Sequence, residues 1–372
     1  MFTKTQFKKI LESRILVLDG AMGTEIQRHN LTEKDFRGDL YKNWNRELKG
    51  NNDLLSITKP ELIKEIHTNF INAGADIIET NTFNSNITSQ ADYGLESISY
   101  ELNLQGAKIA REVADFSSKE IYVAGVVGPT NRTASLSPDV SDPSARNISF
   151  DELKEDYKNS IDGLVDGAVD LIMIETIFDT LNAKAAIFSY LEKCEEIGIE
   201  IPLMISGTIS DASGRTLSGQ TIDAFWTSVA HARPLSIGFN CALGAEQLRP
   251  HIKRISEIAD VPISVHPNAG LPNEMGSYDQ SPGEMANIIG EFCDNNFVNI
   301  VGGCCGTTVD HCKAISRKVS NKIPRTIPKP SLKTFLSGLE PLSIDENSLF
   351  VNIGERTNVT GSRKFARLIT EK

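Results

Sequence analysis

The sequence of 372 residues contains no apolar run long enough to cross a membrane. Its opening, Met1 to Glu12, mixes apolar residues with lysines and has no apolar h-region, so no secretory leader is expected. Positive charge is in deficit: 38 Lys and Arg stand against 49 Asp and Glu, a net charge of −11. Non-specific nucleic-acid binding needs clustered cations, so this balance argues against that class while leaving small anionic substrates open. Cysteine is sparse, and six in a chain of this length are not a disulfide framework. The paired Cys-x-x-Cys knuckles of structural zinc sites are absent. No low-complexity tract is present. These absences point to a cytoplasmic protein with reduced thiols and with neither a nucleic-acid nor a membrane partner.

What is present is a globular composition, 40% hydrophobic and 23% charged, enough for one large domain or two ordinary ones. Short apolar runs recur at Ile15–Leu18, Ile77–Ile78, Ile121–Val127, Leu171–Ile174, Pro202–Ser206, Ser236–Cys241, Val261–Asn268 and Val298–Val301. They are continuously apolar, as strands buried on both faces are. Helical patterns separate them. Ser149 with Glu152, and Ser281 with Pro282 and Glu284, read as helix starts. Gly198 reads as the stop of a helix containing Leu181, Ala185, Phe188 and Leu191, and Pro250 as the start of another. Eight βα units of this length predict an α/β fold, a (β/α)8 TIM barrel, with a doubly wound open sheet as the alternative.

In such a barrel the active site lies at the C-terminal ends of the strands. Polar and small residues gather at those ends: Asp19-Gly20, Glu79 to Asn84, Glu175-Thr176, Asn240-Cys241, His266 to Asn268 and Cys304-Cys305. Two long loops follow strand ends, Thr130–Ser149 and Ser210–Gln220, and loops there can close over a substrate. Gly302, Gly303 and Gly306 bracket the adjacent cysteines and can release them from the alternation of a straight strand. With Cys241 they give three thiolate ligands, the number that leaves a catalytic zinc one open position. Such a soft, electron-rich centre suits a thiol as fourth ligand and predicts thiolate alkylation. The same cysteines also fit packing thiols, a vicinal disulfide or a structural site, with His266 as a conceivable fourth ligand. Cys194, Cys293 and Cys312 fall in helical patterns and read as packing thiols. Asp19 and Glu175 can bind the ammonium of an α-amino acid, and the turn Gly20, Ala21, Met22, Gly23 offers backbone N–H groups for its carboxylate. A tight turn and a plain salt bridge are the structural alternatives for these two carboxylates.

After residue 323 the composition changes. Pro324, Pro328, Pro330 and Pro341, with Lys and Ser, read as a linker over residues 324–347. A new strand is expected to begin at Ser348, and residues 348–372 are too few to fold alone.

Asp19-Gly20-Ala21-Met22-Gly23-Thr24, Glu175-Thr176, Gly238-Phe239-Asn240-Cys241 and Gly302-Gly303-Cys304-Cys305-Gly306-Thr307 resemble the homocysteine S-methyltransferase family over roughly residues 10 to 320. The resemblance implies a (β/α)8 barrel over residues 1–323 and zinc on Cys241, Cys304 and Cys305. It implies homocysteine as substrate, its amino group on Asp19 and Glu175, and Asn240 beside the metal. Asn352 to Ser362 looks like the first strand and loop of the pterin-binding domain of cobalamin-dependent methionine synthases. That likeness implies methylcobalamin as methyl donor, recharged from 5-methyltetrahydrofolate, with cobalamin-binding and folate-binding modules as partners. The readings left beside it are betaine or S-methylmethionine as donor, and a zinc-stabilised module without catalysis.

Overall fold

The computed structural model describes residues 3–210, 213–330, 333–352 and 359–371. Eight parallel strands form the centre: β1 (Leu16–Val17), β2 (Ile77–Glu79), β3 (Tyr122–Val127), β4 (Leu171–Ile177), β5 (Leu203–Gly207), β6 (Ser236–Gly244), β7 (Ile263–Asn268) and β8 (Ile300–Val301). Their order is β1-β8-β7-β6-β5-β4-β3-β2, and a parallel bridge from Leu18 to Ile77 joins the two outer strands. The sheet therefore closes into the expected barrel, and the open sheet is excluded.

Helix α1 (Lys4–Ser13) precedes the barrel. After β1 come α2 (Met22–Arg28), α3 (Glu33–Arg37), α4 (Leu55–Thr58) and α5 (Pro60–Ala73), and after β2 come α6 (Ile87–Gln90) and α7 (Ser99–Phe116). Single helices then alternate with strands: α8 (Phe150–Asp166), α9 (Thr180–Ile197), α10 (Ile222–Val229), α11 (Ala245–Ile258), α12 (Pro282–Asp294) and α13 (Val309–Val319).

Period-two alternation divides the core. Leu16, Leu18, Ile77, Tyr122, Ala124, Val126, Leu171, Met173, Met204 and Ile300 fill the barrel with Phe7 and Leu11 of α1. Phe7 lies 4.7 Å from Tyr122 between ring centroids, so α1 plugs the N-terminal end. The alternate residues Ile78, Val123, Ile172, Ile174, Ile205 and Ile237 face the helices. Each fully buried Leu or Ile contributes about 1.5–3 kcal/mol. Counting on by twos from the inward set, Glu79, Glu175 and Ser206 also point inward at the opposite end, and Asn240 and His266, which alternate with the helix-facing Phe239 and Val265, do the same. The barrel interior is thus apolar below and polar at the mouth.

The capping boxes at Ser149 and Ser281 form, and Gly198 closes α9 with φ 68°. Two sequence expectations, at Pro250 and at Ser348, are corrected. Pro250 lies inside α11, not at its start: Gly244 is the N-cap, and Leu248, Ile252 and Ile255 bury across the proline. One missing N–H near the helix start is offset by that packing. The helix that Gly198 stops does contain Leu181, Ala185, Phe188 and Leu191, as expected; its buried stripe runs through Ala183, Ala186, Ile187 and Tyr190, with Phe188 and Leu191 outward. No strand begins at Ser348: residues 348–352 are irregular, and Leu349 and Phe350 are exposed. The remainder of that expected strand and loop, 353–358, falls outside the described residues.

The segment read as a linker is held against the barrel. Strands β9 (Thr334–Ser337) and β10 (Pro341–Ile344) form an antiparallel hairpin. Ser337 Oγ donates to Ala224 O of α10 at 2.8 Å, and Thr221 N–H donates to Leu339 O at 3.1 Å. A last helix, α14 (Arg363–Thr370), has no buried residue.

Candidate metal and substrate site

Two irregular strand ends shape the mouth. The β4–β5 register shifts between Ile174 and Ile177, where Thr176 adopts φ 53°. The β6–β7 register shifts between Asn240 and Gly244, where Cys241 and Ala242 adopt φ 60° and 56°. Left-handed backbone at non-glycine residues is strained and persists where its surroundings enforce it. Here the Thr208 hydroxyl donates to Asn240 O at 3.0 Å, and Thr176 N–H donates to Asn240 Oδ1 at 3.1 Å. Bulges of this kind re-aim side chains, and Cys241 is the residue re-aimed. The cysteine pair is stitched to the end of β7: Cys304 N–H donates to Pro267 O at 2.8 Å, and Ala269 N–H to Cys305 O at 2.9 Å. Gly306, at φ 79°, lies under Tyr278, and a Cβ there would come within 2.3 Å of that side chain.

The three sulfurs of Cys241, Cys304 and Cys305 lie within 4.8 Å of one another, and Cys241 Sγ is 3.7 Å from Cys305 Sγ. All three are free thiols, so no vicinal disulfide is present. A tetrahedral ion with zinc–sulfur bonds of about 2.3 Å needs its sulfurs about 3.8 Å apart. The Cys241–Cys305 spacing matches that requirement, and Cys304 lies within 4.8 Å of both, so the donor set and its convergence fit zinc. Hydrogen bonds from Cys241 and Cys304 push the Cys305 thiol well down, while those with Cys241 and Cys305, and burial, push Cys304 well up.

Beside the sulfurs are three carboxyls, Asp19, Glu79 and Glu175. Burial raises all three, and the charges of Glu175 and Asp19 on Glu79 raise it further. Glu175 is pushed up to about 8 by burial and then by Cys241. Asp19 Oδ2 accepts from Glu79 N–H at 3.1 Å, whereas Asp19 Oδ1 and Glu79 Oε1 have no hydrogen-bond partner. Among the described residues none of the three carboxyls pairs with a Lys, Arg or His.

Asn240 connects the two groups. Its Nδ2 donates to Glu175 Oε2 at 3.0 Å and to Thr176 Oγ1 at 2.7 Å, and approaches Cys304 Sγ at 3.9 Å. Its Oδ1 accepts from the Ser206 hydroxyl at 2.7 Å. In the turn after β1, Ala21 N–H donates to Thr307 Oγ1 at 3.1 Å, and the first turn of α2, starting at Met22, has no side-chain cap. Gly20 is packed on Phe70 and Thr307 too closely for a side chain.

His266 groups with Glu79 and Glu175, within 4.8 Å, and is not a member of the cysteine cluster. The sequence offered His266 only as a conceivable fourth zinc ligand and gave Glu79 and Asn268 no individual role, although Glu79 and His266 point inward like Glu175 and Asn240. Asn268 Oδ1, also buried and unpartnered, adjoins the cysteine pair through the Pro267 and Ala269 backbone. Of the long loops, 130–149 is tied to α9, with Ala134 N–H on Asn182 Oδ1 at 2.9 Å, and 213–221 is tied to the β9–β10 hairpin.

A parallel barrel whose mouth joins three convergent thiols to buried carboxyls lacking a cation has the makings of an enzyme for a cationic, thiol-bearing substrate. The chain belongs to the homocysteine S-methyltransferase family, whose model matches residues 16–319. It is a methyltransferase of that family, and homocysteine methylation is the family's reaction. The fold is similar to that of the Escherichia coli homocysteine methyltransferase MmuM. Its metallated form is 21% identical, TM-score 0.65, over 83% of this chain and 98% of that one. Its oxidized form is 20% identical, TM-score 0.65, over 85% and 100%.

Proposed function

We propose that this chain binds homocysteine at the barrel mouth, would activate its thiol on zinc held by Cys241, Cys304 and Cys305, and presents the sulfur to methylcobalamin, whose methyl group it takes to form methionine. The observation that carries this is the junction, through Asn240, of a three-sulfur cluster with buried carboxyls that have no cation of their own. When bound, zinc would turn an incoming thiol into a thiolate at neutral pH. The protein does the rest. Asp19 and Glu175 take the substrate's ammonium, which supplies the counter-charge that their burial demands. The turn Gly20, Ala21, Met22 faces the substrate carboxylate. Asn240 holds Glu175 and Cys304 in fixed relation, so amino group and thiol are placed together. The sulfur then gains the methyl carbon, and the donor keeps the bonding electron pair.

The donor assignment rests on the likeness of residues 352–362 to the opening of the pterin-binding domain in cobalamin-dependent methionine synthases. On this reading residues 1–323 are the homocysteine-binding domain, 324–347 the connection and 348–372 the beginning of a folate-binding domain. Cobalamin-binding and folate-binding modules outside this chain are the partners.

Zinc-loaded protein is expected to show an added zinc–sulfur bond by X-ray absorption on addition of homocysteine. It is also expected to form methionine from added methylcobalamin, but not from betaine or S-methylmethionine. Cys241→Ala, Cys304→Ala and Cys305→Ala should each lose bound zinc at least tenfold. An unchanged zinc environment with homocysteine would mean a closed structural site, and turnover with betaine would replace the donor.

A further inference from the structure

Glu79 and His266 have no part in the reaction as read above, yet both stand beside Glu175 at the barrel mouth. His266 is buried, and its Nε2 has no hydrogen-bond partner. Glu79 Oε1 is likewise buried and unpartnered. With a carboxylate oxygen of Glu175, the two present ligand atoms within 4.8 Å of one another. A buried acceptor without a donor costs about 1–3 kcal/mol, and several together mark a place for a group rich in donors. His266 does not supply those donors, since no ion pair or hydrogen bond joins it to either carboxyl. A neutral His266 offers one unprotonated ring nitrogen as an acceptor. Three acceptors from three strand ends match the three N–H bonds of a primary ammonium, and the Asp19 carboxylate, near enough to act on Glu79 and Glu175 by its charge, adds attraction for the cation.

We propose that Glu79 and His266 complete, with Glu175, a three-acceptor cage that selects substrates carrying a free, unsubstituted α-ammonium. The proposal rests on the functional reading above and adds the determinant of amine specificity. A secondary amine leaves one acceptor unpaired, and an acylated or missing amine leaves at least two. Rejection then comes from buried groups left without partners rather than from a clash.

The test measures binding of homocysteine and of 4-mercaptobutanoate, its analogue without the amino group, to the zinc-loaded 372-residue protein by calorimetry. Wild type should prefer homocysteine. Glu79→Gln should weaken homocysteine by about tenfold or more, the scale of one charge-assisted hydrogen bond, and leave 4-mercaptobutanoate within about twofold. His266→Leu should do the same, and His266→Gln, which restores an acceptor, should recover part of the loss. Circular dichroism identifies a variant that has failed to fold, and the milder His266→Gln then carries the comparison. Equal losses for both ligands would show a purely structural role and overturn the proposal. So would no loss in either variant, or a second equivalent of bound divalent metal that Glu79→Gln abolishes. If wild type binds neither ligand, the functional reading itself fails.

Discussion

Glu175 shows what the mouth demands of a single residue. Its carboxyl is buried, touches Asn240 and has no cation, so it holds its proton up to about pH 8. A raised carboxyl binds its proton more tightly folded than unfolded. Its contribution is complete below the unfolded value near 4.5 and is lost as pH climbs through about 8. Other groups oppose it: His266 and His67 are lowered to about 4 by burial, so their effect is complete by about pH 6.5, and the Cys305 thiol is lowered as well. The clean measurement is therefore a difference. Metal-free Glu175→Gln, which cannot ionise, should gain on wild type by about 2 kcal/mol between pH 6 and pH 8, read from urea midpoints. A constant gap would place Glu175 in water. Homocysteine should shrink the gap in the presence of zinc, because its ammonium compensates the carboxylate.

At the scale of elements, the strands were legible because every buried run is apolar and each ends in small or polar residues. Their inner and outer faces were harder to separate, since Ile172 and Met173 are equally apolar although one faces helices and the other fills the barrel. The parity becomes visible only once the barrel is closed, and it is parity that carries Glu79 and His266 inward with Glu175 and Asn240. The bulges at Thr176 and Cys241 left no mark either, for neither position is a glycine. The β9–β10 hairpin was hidden because Pro324, Pro328 and Pro330 precede it and its side chains are largely exposed. It nevertheless bears on the mouth, tying α10 and the 213–221 loop, whose Ser218 N–H donates to Phe178 O just past β4 at 3.0 Å. Ser337 is its main anchor, bonded to Ala224 O and to the Ser228 hydroxyl, each at 2.8 Å. Ser337→Ala should cost about 1 kcal/mol. Hydrogen exchange should quicken in α10 and residues 213–221, with α8 unaffected. Uniform exchange across all three would mean that the hairpin is held some other way.

For the whole molecule, the problem is closing a barrel whose first and last strands are two residues each. So short a seam supplies few ladder hydrogen bonds, and the N-terminal end is fastened by side chains instead. Asn299 accepts from Ile263 N–H at 3.0 Å and donates to Leu11 O at 3.3 Å and to Arg325 O at 2.8 Å. Arg325, 3% exposed, donates to Ser256 O, Ala259 O and Val261 O, the carbonyls where α11 turns into β7. Burial lowers its guanidinium to about 10, still charged at neutral pH. This clasp lies two residues past the domain boundary at 323 that composition suggests, because prolines mark a change of chain direction and not the end of packing. Arg325→Met preserves much of the volume but leaves three carbonyls without their donor, a loss of about 3 kcal/mol. A protein ending at residue 323 should be destabilised at least as much, and one ending at 330 should regain most of it. If the chain ending at 323 unfolds at the same urea concentration as the full chain, the clasp is idle and the barrel holds itself shut through β1 and β8 alone.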